Sequence, residues 1–175
     1  LITFSGHGSY CDLYNGTRRT CICLADDLFW DYEYRTLLSK FNEGVQVFWI
    51  SDSCFSENNY RQLFNPSHIG LSKALVPKAQ WKPNLDDLKV SEELPIKCKI
   101  IAISSSQDDE VSYDISVNGR ACGAFTNSFL LSYNKLATWT SIFNNTKKRL
   151  SKMYPQVPSI ELTNLQRITL KSRVL

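Results

Sequence analysis

The chain is short of the features that mark several large protein classes. It has only two histidines, His7 and His68. Neither stands at finger spacing from a cysteine pair, which excludes a structural zinc finger. No apolar run approaches bilayer-spanning length, and the first residues lack the make-up of a secretory leader, so no membrane partner is expected. Charge of one sign is also scarce. The net charge is +3, spread along the chain apart from Lys147-Lys148-Arg149. That run reads as the solvated face of a helix, not a nucleic-acid patch, so no nucleic-acid partner is expected. A CxxC motif is absent too: Cys21 and Cys23 stand at the i, i+2 spacing of one strand face.

What is present suits one globular domain. The 175 residues are 43% hydrophobic and 21% charged, enough to bury a sizeable core and far from a disordered composition. Six cysteines, at positions 11, 21, 23, 54, 98 and 122, could suggest disulfides. A core-rich chain of this length does not need that framework, and free thiols in a reducing cytoplasm are expected. The chain opens at Leu1 inside a strand pattern with no Met, which reads as a fragment or as a segment following further residues.

Periodicity predicts an α/β order. Residues 1–5 (LITFS) read as a strand ended by Gly6-His7-Gly8. Residues 19–25 alternate as a strand or hairpin arm behind the Asn15-Gly16 turn signal. The second half of 26–41 reads as a helix, with Leu37, Leu38 and Phe41 on one face. Residues 45–51 (VQVFWIS) are continuously apolar, as a strand buried on both faces is. From 65 to 97 the pattern dissolves among prolines, a long inter-strand loop. Residues 98–106 restore a buried strand, 123–136 and 138–154 read as helices, and 167–175 as a final strand. Strands alternating with helices imply a mainly parallel sheet, whose active residues collect at the carboxyl ends of strands.

Two of those ends carry chemistry: Ser5-Gly6-His7-Gly8, and Asp52-Ser53-Cys54. A free cysteine is most often a small buried hydrophobe. As a phosphatase nucleophile Cys54 would need an arginine closing a glycine-bearing loop, but the loop to Arg61 is one residue too long and has no glycine. As a metal ligand it lacks partners. As a hydrolase nucleophile it needs an imidazole to take its proton and backbone amides to hold the oxyanion. His7, between two glycines at a strand end, is unlike an ordinary core histidine.

The ordered set SGHG, DSCFSE, SSSQDDEVSYD and GAFTNSFL resembles the caspase-like cysteine peptidases, within them the bacterial metacaspase-like (orthocaspase) branch, across nearly the whole chain. The resemblance implies a three-layer caspase-like α/β fold with a mainly parallel sheet flanked by helices. It also implies strands and helices before Leu1, so that 1–175 is a domain incomplete at its N-terminus. It makes His7 the general base and Cys54 the nucleophile, with the amides of Gly8 and Cys54 as oxyanion donors. Asp52, and more loosely Asp108 or Asp109, match acids of an S1 pocket that favours a protein or peptide substrate with Arg or Lys at P1. The 65–97 loop lies where related proteases separate larger and smaller parts, which makes Lys73, Lys78, Lys82 and Lys89 candidate self-cleavage sites. No cofactor is needed for the chemistry. Some relatives require calcium; here Asp31 and Glu33 remain of an acidic segment, with Tyr32 in place of another acid. Phe55 and Glu57 replace a histidine and a glycine of the family pattern. They sustain an alternative, a catalytically silent domain acting through binding. Regulatory domains or chains outside this segment fit either reading.

Overall fold

A computed structural model of the chain describes residues 1–13, 18–53, 71–72, 83–106, 112–165, 170–171 and 173. The first half holds β1 (Ile2–Ser5), β2 (Gly8–Asp12), β3 (Arg18–Cys23), β4 (Leu28–Trp30), α1 (Asp31–Ser39) and β5 (Gln46–Asp52). Then come β6 (Leu71–Ser72), α2 (Leu85–Glu93), β7 (Lys99–Ser104), β8 (Tyr113–Val117), β9 (Arg120–Gly123), α3 (Ala124–Ser132), α4 (Trp139–Leu150) and β10 (Ser159–Thr163).

The central sheet has the order β1-β5-β7-β10. Both β1–β5 and β5–β7 run parallel, and β10 pairs antiparallel with β7. The continuous apolar character of β5 and β7 has a direct cause: each is covered on both faces. Val47 and Ile100 pack with Leu38 and Phe41 from α1 and the turn that ends it. Trp49, on the same face, meets Tyr34 of α1 edge-on at 4.9 Å. On the opposite face Ile101 and Ile103 join Phe125 and Phe129 of α3 and Trp139, Ile142 and Leu150 of α4, and Phe48 stacks on Trp139 at 4.9 Å. Helix, sheet, helix is the three-layer arrangement expected from the sequence. Two small antiparallel sheets, β2-β3-β4 and β6-β8-β9, flank it.

Several segments depart from the sequence expectation. The 65–97 stretch is not irregular throughout, since α2 lies inside it. Asn84 caps that helix, its side chain accepting the N–H groups of Asp86 and Asp87. Leu88 is buried against Tyr32 and Trp30, and Arg35 reaches from α1 to the carbonyls of Ser91 (2.9 Å) and Leu94 (3.0 Å). A predominantly charged helix among prolines carries little periodic signal, because only one narrow stripe is buried. The outer strand beside β7 is β10, not 167–175. Of that last segment, Leu170 and Lys171 form a short 3₁₀ turn and Arg173 makes one isolated bridge to Thr138. The strands β2, β8 and β9 were not expected either.

Candidate active site

The site is assembled by the end-to-end alignment of two parallel strands. In the β1–β5 register Ser5 stands opposite Asp52, and the Gly6 N–H donates to the Asp52 carbonyl at 3.1 Å. This brings His7 and the Asp52-Ser53 end of β5 to one edge of the sheet. His7 is exposed at the bend between β1 and β2. Its carbonyl accepts the Cys23 N–H at 2.9 Å, so β3 holds the histidine's backbone while its ring faces solvent. Gly8 is buried and opens β2 opposite Ile22. At Gly6 a Cβ would come within 2.8 Å of the Phe4 ring, so a glycine lets the bend close over that ring.

Asp52 is 1% exposed. Its Oδ2 accepts the Thr126 N–H at 2.9 Å and the Thr126 hydroxyl at 2.5 Å. Thr126 lies in the first turn of α3, whose N-cap, Gly123, offers no side-chain bond. The carboxylate therefore does the capping from another strand, where a negative charge is favoured by the unpaired N–H groups of the helix start. The GAFT motif thus has two parts: Phe125 fills the core at 0% exposure, and Thr126 holds Asp52.

Behind Asp52 lies a patch of buried hydroxyls. Ser51 and Ser53 share a hydrogen bond of 3.0 Å. The Ser53 carbonyl accepts from Ser105 and from Ser112, each at 3.1 Å. Ser105 and Ser112 are also hydrogen-bonded to each other. Gln156 donates through Nε2 to the Ser105 carbonyl at 2.8 Å. Sequence reading missed Thr126, Ser105, Ser112 and Gln156 as site residues. The run Ser104-Ser105-Ser106 at the end of a buried strand was the available signal.

Cys54, Asp108, Asp109, Lys73, Lys78 and Lys82 lie outside the described residues, as do Phe55 and Glu57. Lys89 is exposed on α2. Asp31 and Glu33 stand at the start of α1. Asp31 accepts the Thr20 N–H at 3.3 Å and pairs with Arg19 at 3.6 Å; Glu33 accepts the Trp30 N–H at 2.7 Å. Burial raises the Asp31 carboxyl above its usual range, with Arg19 opposing. Calcium wants six or more oxygens. Among the described residues no group of three His, Cys, Asp or Glu side chains is placed to hold a metal. The two acids as placed serve the helix start and Arg19. No helix among the described residues is long and apolar enough to cross a membrane.

Comparison with known proteins bears on the family and the fold. The Caspase domain family (peptidase C14) matches residues 1–169. A metacaspase-1 of Scheffersomyces stipitis is 36% identical over 69 residues, covering 38% of this chain and 17% of the relative. A metacaspase-1 of Candida albicans is 36% identical over 76 residues, covering 39% and 17%. The matches thus span about a sixth of the length of those relatives, both of them yeast proteins. Among solved structures, protein GSU0716 from Geobacter sulfurreducens superposes with a TM-score of 0.68 at 24% identity, over 98% of this chain and 68% of that one. That likeness concerns the fold alone.

Proposed function

The chain belongs to the caspase-domain family, and on that premise we propose that it is a cysteine endopeptidase in which Cys54 is the nucleophile and His7 the general acid and base. His7 takes the thiol proton of Cys54, the sulfur attacks the scissile carbonyl carbon, and the carbonyl π electrons move to oxygen, between the backbone N–H groups of Gly8 and Cys54. When the tetrahedral species collapses, the C–N bond breaks and His7 delivers a proton to the leaving amine. His7 then takes a proton from water, which attacks the thioester; the thiolate leaves and the new carboxylic acid departs.

One observation carries this reading. The β1–β5 register and the Gly6–Asp52 bond tie the histidine-bearing bend to the strand that leads into Cys54. Asp52 supports a preference for Arg or Lys at P1, with Asp108 as a second acid. It is a buried carboxylate two residues before the nucleophile, and Thr126 fixes its orientation. A negative charge there favours a cation and opposes an aspartate. Self-cleavage after Lys73, Lys78, Lys82 or Lys89 follows from the same preference. Neither step needs a metal.

Matched peptide reporters ending in Arg, Lys or Asp, given to the full chain beside Cys54→Ala, test the proposal. Hydrolysis is expected after Arg and Lys, at least tenfold faster than after Asp, and absent from Cys54→Ala. Cleavage confined to Asp would remove the S1 assignment. Hydrolysis that survives in Cys54→Ala, or none in the parent chain, would favour the silent binding domain or another nucleophile.

A further inference from the structure

Buried polar side chains gather at one place in the core of this protein. Ser53, Ser105 and Ser112 are 0% exposed, Gln156 1% and Ser106 2%. They cluster where β5 and β7 end. Elsewhere between the sheet and α3 and α4 the core is mainly aliphatic and aromatic, and the buried Ser132 and Thr146 there give their hydroxyl protons to carbonyls of their own helices. Burying hydroxyls carries a desolvation cost that only hydrogen bonds offset, so the direction of these bonds matters.

They converge on one atom, the Ser53 carbonyl oxygen, which receives Ser105 and Ser112 at 3.1 Å each. Each serine has one proton to give. Ser112 can instead give its proton to the Ser106 hydroxyl at 3.2 Å or to Ser105, to which it is hydrogen-bonded, and it accepts from Gln156 Nε2 at 3.4 Å. Gln156 has only protons to offer through that nitrogen. With Ser112 donating to Ser105, one donor chain runs from Gln156 through Ser112 and Ser105 to the carbonyl. The backbone is held as well: the Ser105 N–H bonds the Ser51 carbonyl at 2.9 Å, locking the end of β7 against β5.

The Ser53 carbonyl belongs to the peptide unit whose nitrogen is that of Cys54. A peptide unit is planar and, when trans, points its N–H opposite its C=O. Hydroxyls that fix and polarise the carbonyl therefore fix the direction of the N–H at the far side of the plane and strengthen it as a donor. Resting on the peptidase reading above, we propose that Ser105 and Ser112, backed by Gln156, are positioning residues for the oxyanion. They aim the backbone N–H of the nucleophile at the oxygen that gains charge in the transition state. Their contact is with the protein's own peptide unit, so their effect falls on kcat and not on substrate binding.

The full chain carrying Ser105→Ala and Ser112→Ala together tests this, with wild type and Cys54→Ala alongside. Three readouts separate positioning from mere structure: kcat and KM, inhibition by a peptide aldehyde with a basic P1 residue, and the rate at which iodoacetamide alkylates Cys54. The aldehyde adduct places an oxygen where the oxyanion forms; iodoacetamide forms no oxyanion. The expected result is a loss of roughly 10- to 100-fold in kcat, KM within about twofold, aldehyde affinity weakened by a similar factor, and alkylation unchanged. Ser112→Ala alone, which leaves Ser105 to serve the carbonyl, should fold where the pair does not and show the same pattern at roughly 3- to 10-fold. An unchanged kcat overturns the proposal, as does a fall in kcat matched by a fall in alkylation. Hydrolysis that persists in Cys54→Ala, or is missing from wild type, removes the peptidase reading and this proposal with it. Cys54-dependent hydrolysis that ignores the serines removes this proposal alone.

Discussion

Cys21 and Cys23 show what residue-scale detail the strand pattern carries. Their i, i+2 spacing places both thiols on one face of β3, and the two are hydrogen-bonded. The pair is asymmetric. The bond from the Cys21 thiol pulls Cys23 below the usual thiol range, against the opposing effect of burial. The same bond and its own burial push Cys21 far up. A thiol lowered this way is a thiolate at lower pH and reacts there. In a Cys54→Ala background, Cys23 should be alkylated before Cys21 at pH 7, at least tenfold faster. Peptide mapping after brief iodoacetamide treatment reads this directly, and equal labelling would contradict it. The spacing was legible in the sequence; the asymmetry was not, because it depends on which thiol the fold buries. Asp52 is a similar case. Its place before Cys54 could be read directly, but its hold on Thr126 depends on a helix that begins 72 residues later in the chain.

At the scale of elements, legibility followed burial. The strands β5 and β7 stood out because both faces are covered, so nearly every position is apolar. The helices α3 and α4 stood out because one broad stripe meets the sheet. The hairpin β8–β9 was overlooked, although it carries a plain turn signal. Asn118 and Gly119 join its strands with φ of 52° and 77°, the two positive values of a type I′ turn. A Cβ at Gly119 would meet nothing within 4 Å, so the position needs glycine for its backbone and not for space. Gly119→Ala is expected to cost about 1 kcal/mol and lower Tm by a few degrees, as a thermal melt would show. A Tm equal to the parent's would contradict the turn assignment. The overlooked β2 and β10 are short strands at or near sheet edges, where half the positions are polar and alternation is brief. The helix α2 was hidden by its charge, although Asn84 followed by Asp86 and Asp87 is a readable start signal.

For the molecule as a whole, the order of strand and helix fixed the architecture before any distance was known. A parallel sheet with helices on both faces leaves its strand ends open at one edge, and in this chain two of those ends carry SGHG and DSC. The fold explains why His7 and the Asp52-Ser53 end of β5 lie together: β1 and β5 are neighbours in the sheet although more than forty residues separate their starts. The supporting shell of Thr126, Ser105, Ser112 and Gln156 was not legible. It is drawn from α3, the end of β7, the start of β8 and the segment before β10, which only the finished sheet brings together.

The central claim is that Cys54, assisted by His7, attacks a substrate carbonyl. The most direct test is covalent trapping of the full chain with a peptidyl acyloxymethyl ketone bearing Arg at P1, followed by intact-mass and peptide-mapping analysis. The account predicts a single adduct on the peptide containing Cys54, lost in Cys54→Ala and slowed at least about 100-fold in His7→Ala. An adduct on any other cysteine, or labelling of Cys54 at the same rate without His7, would contradict it.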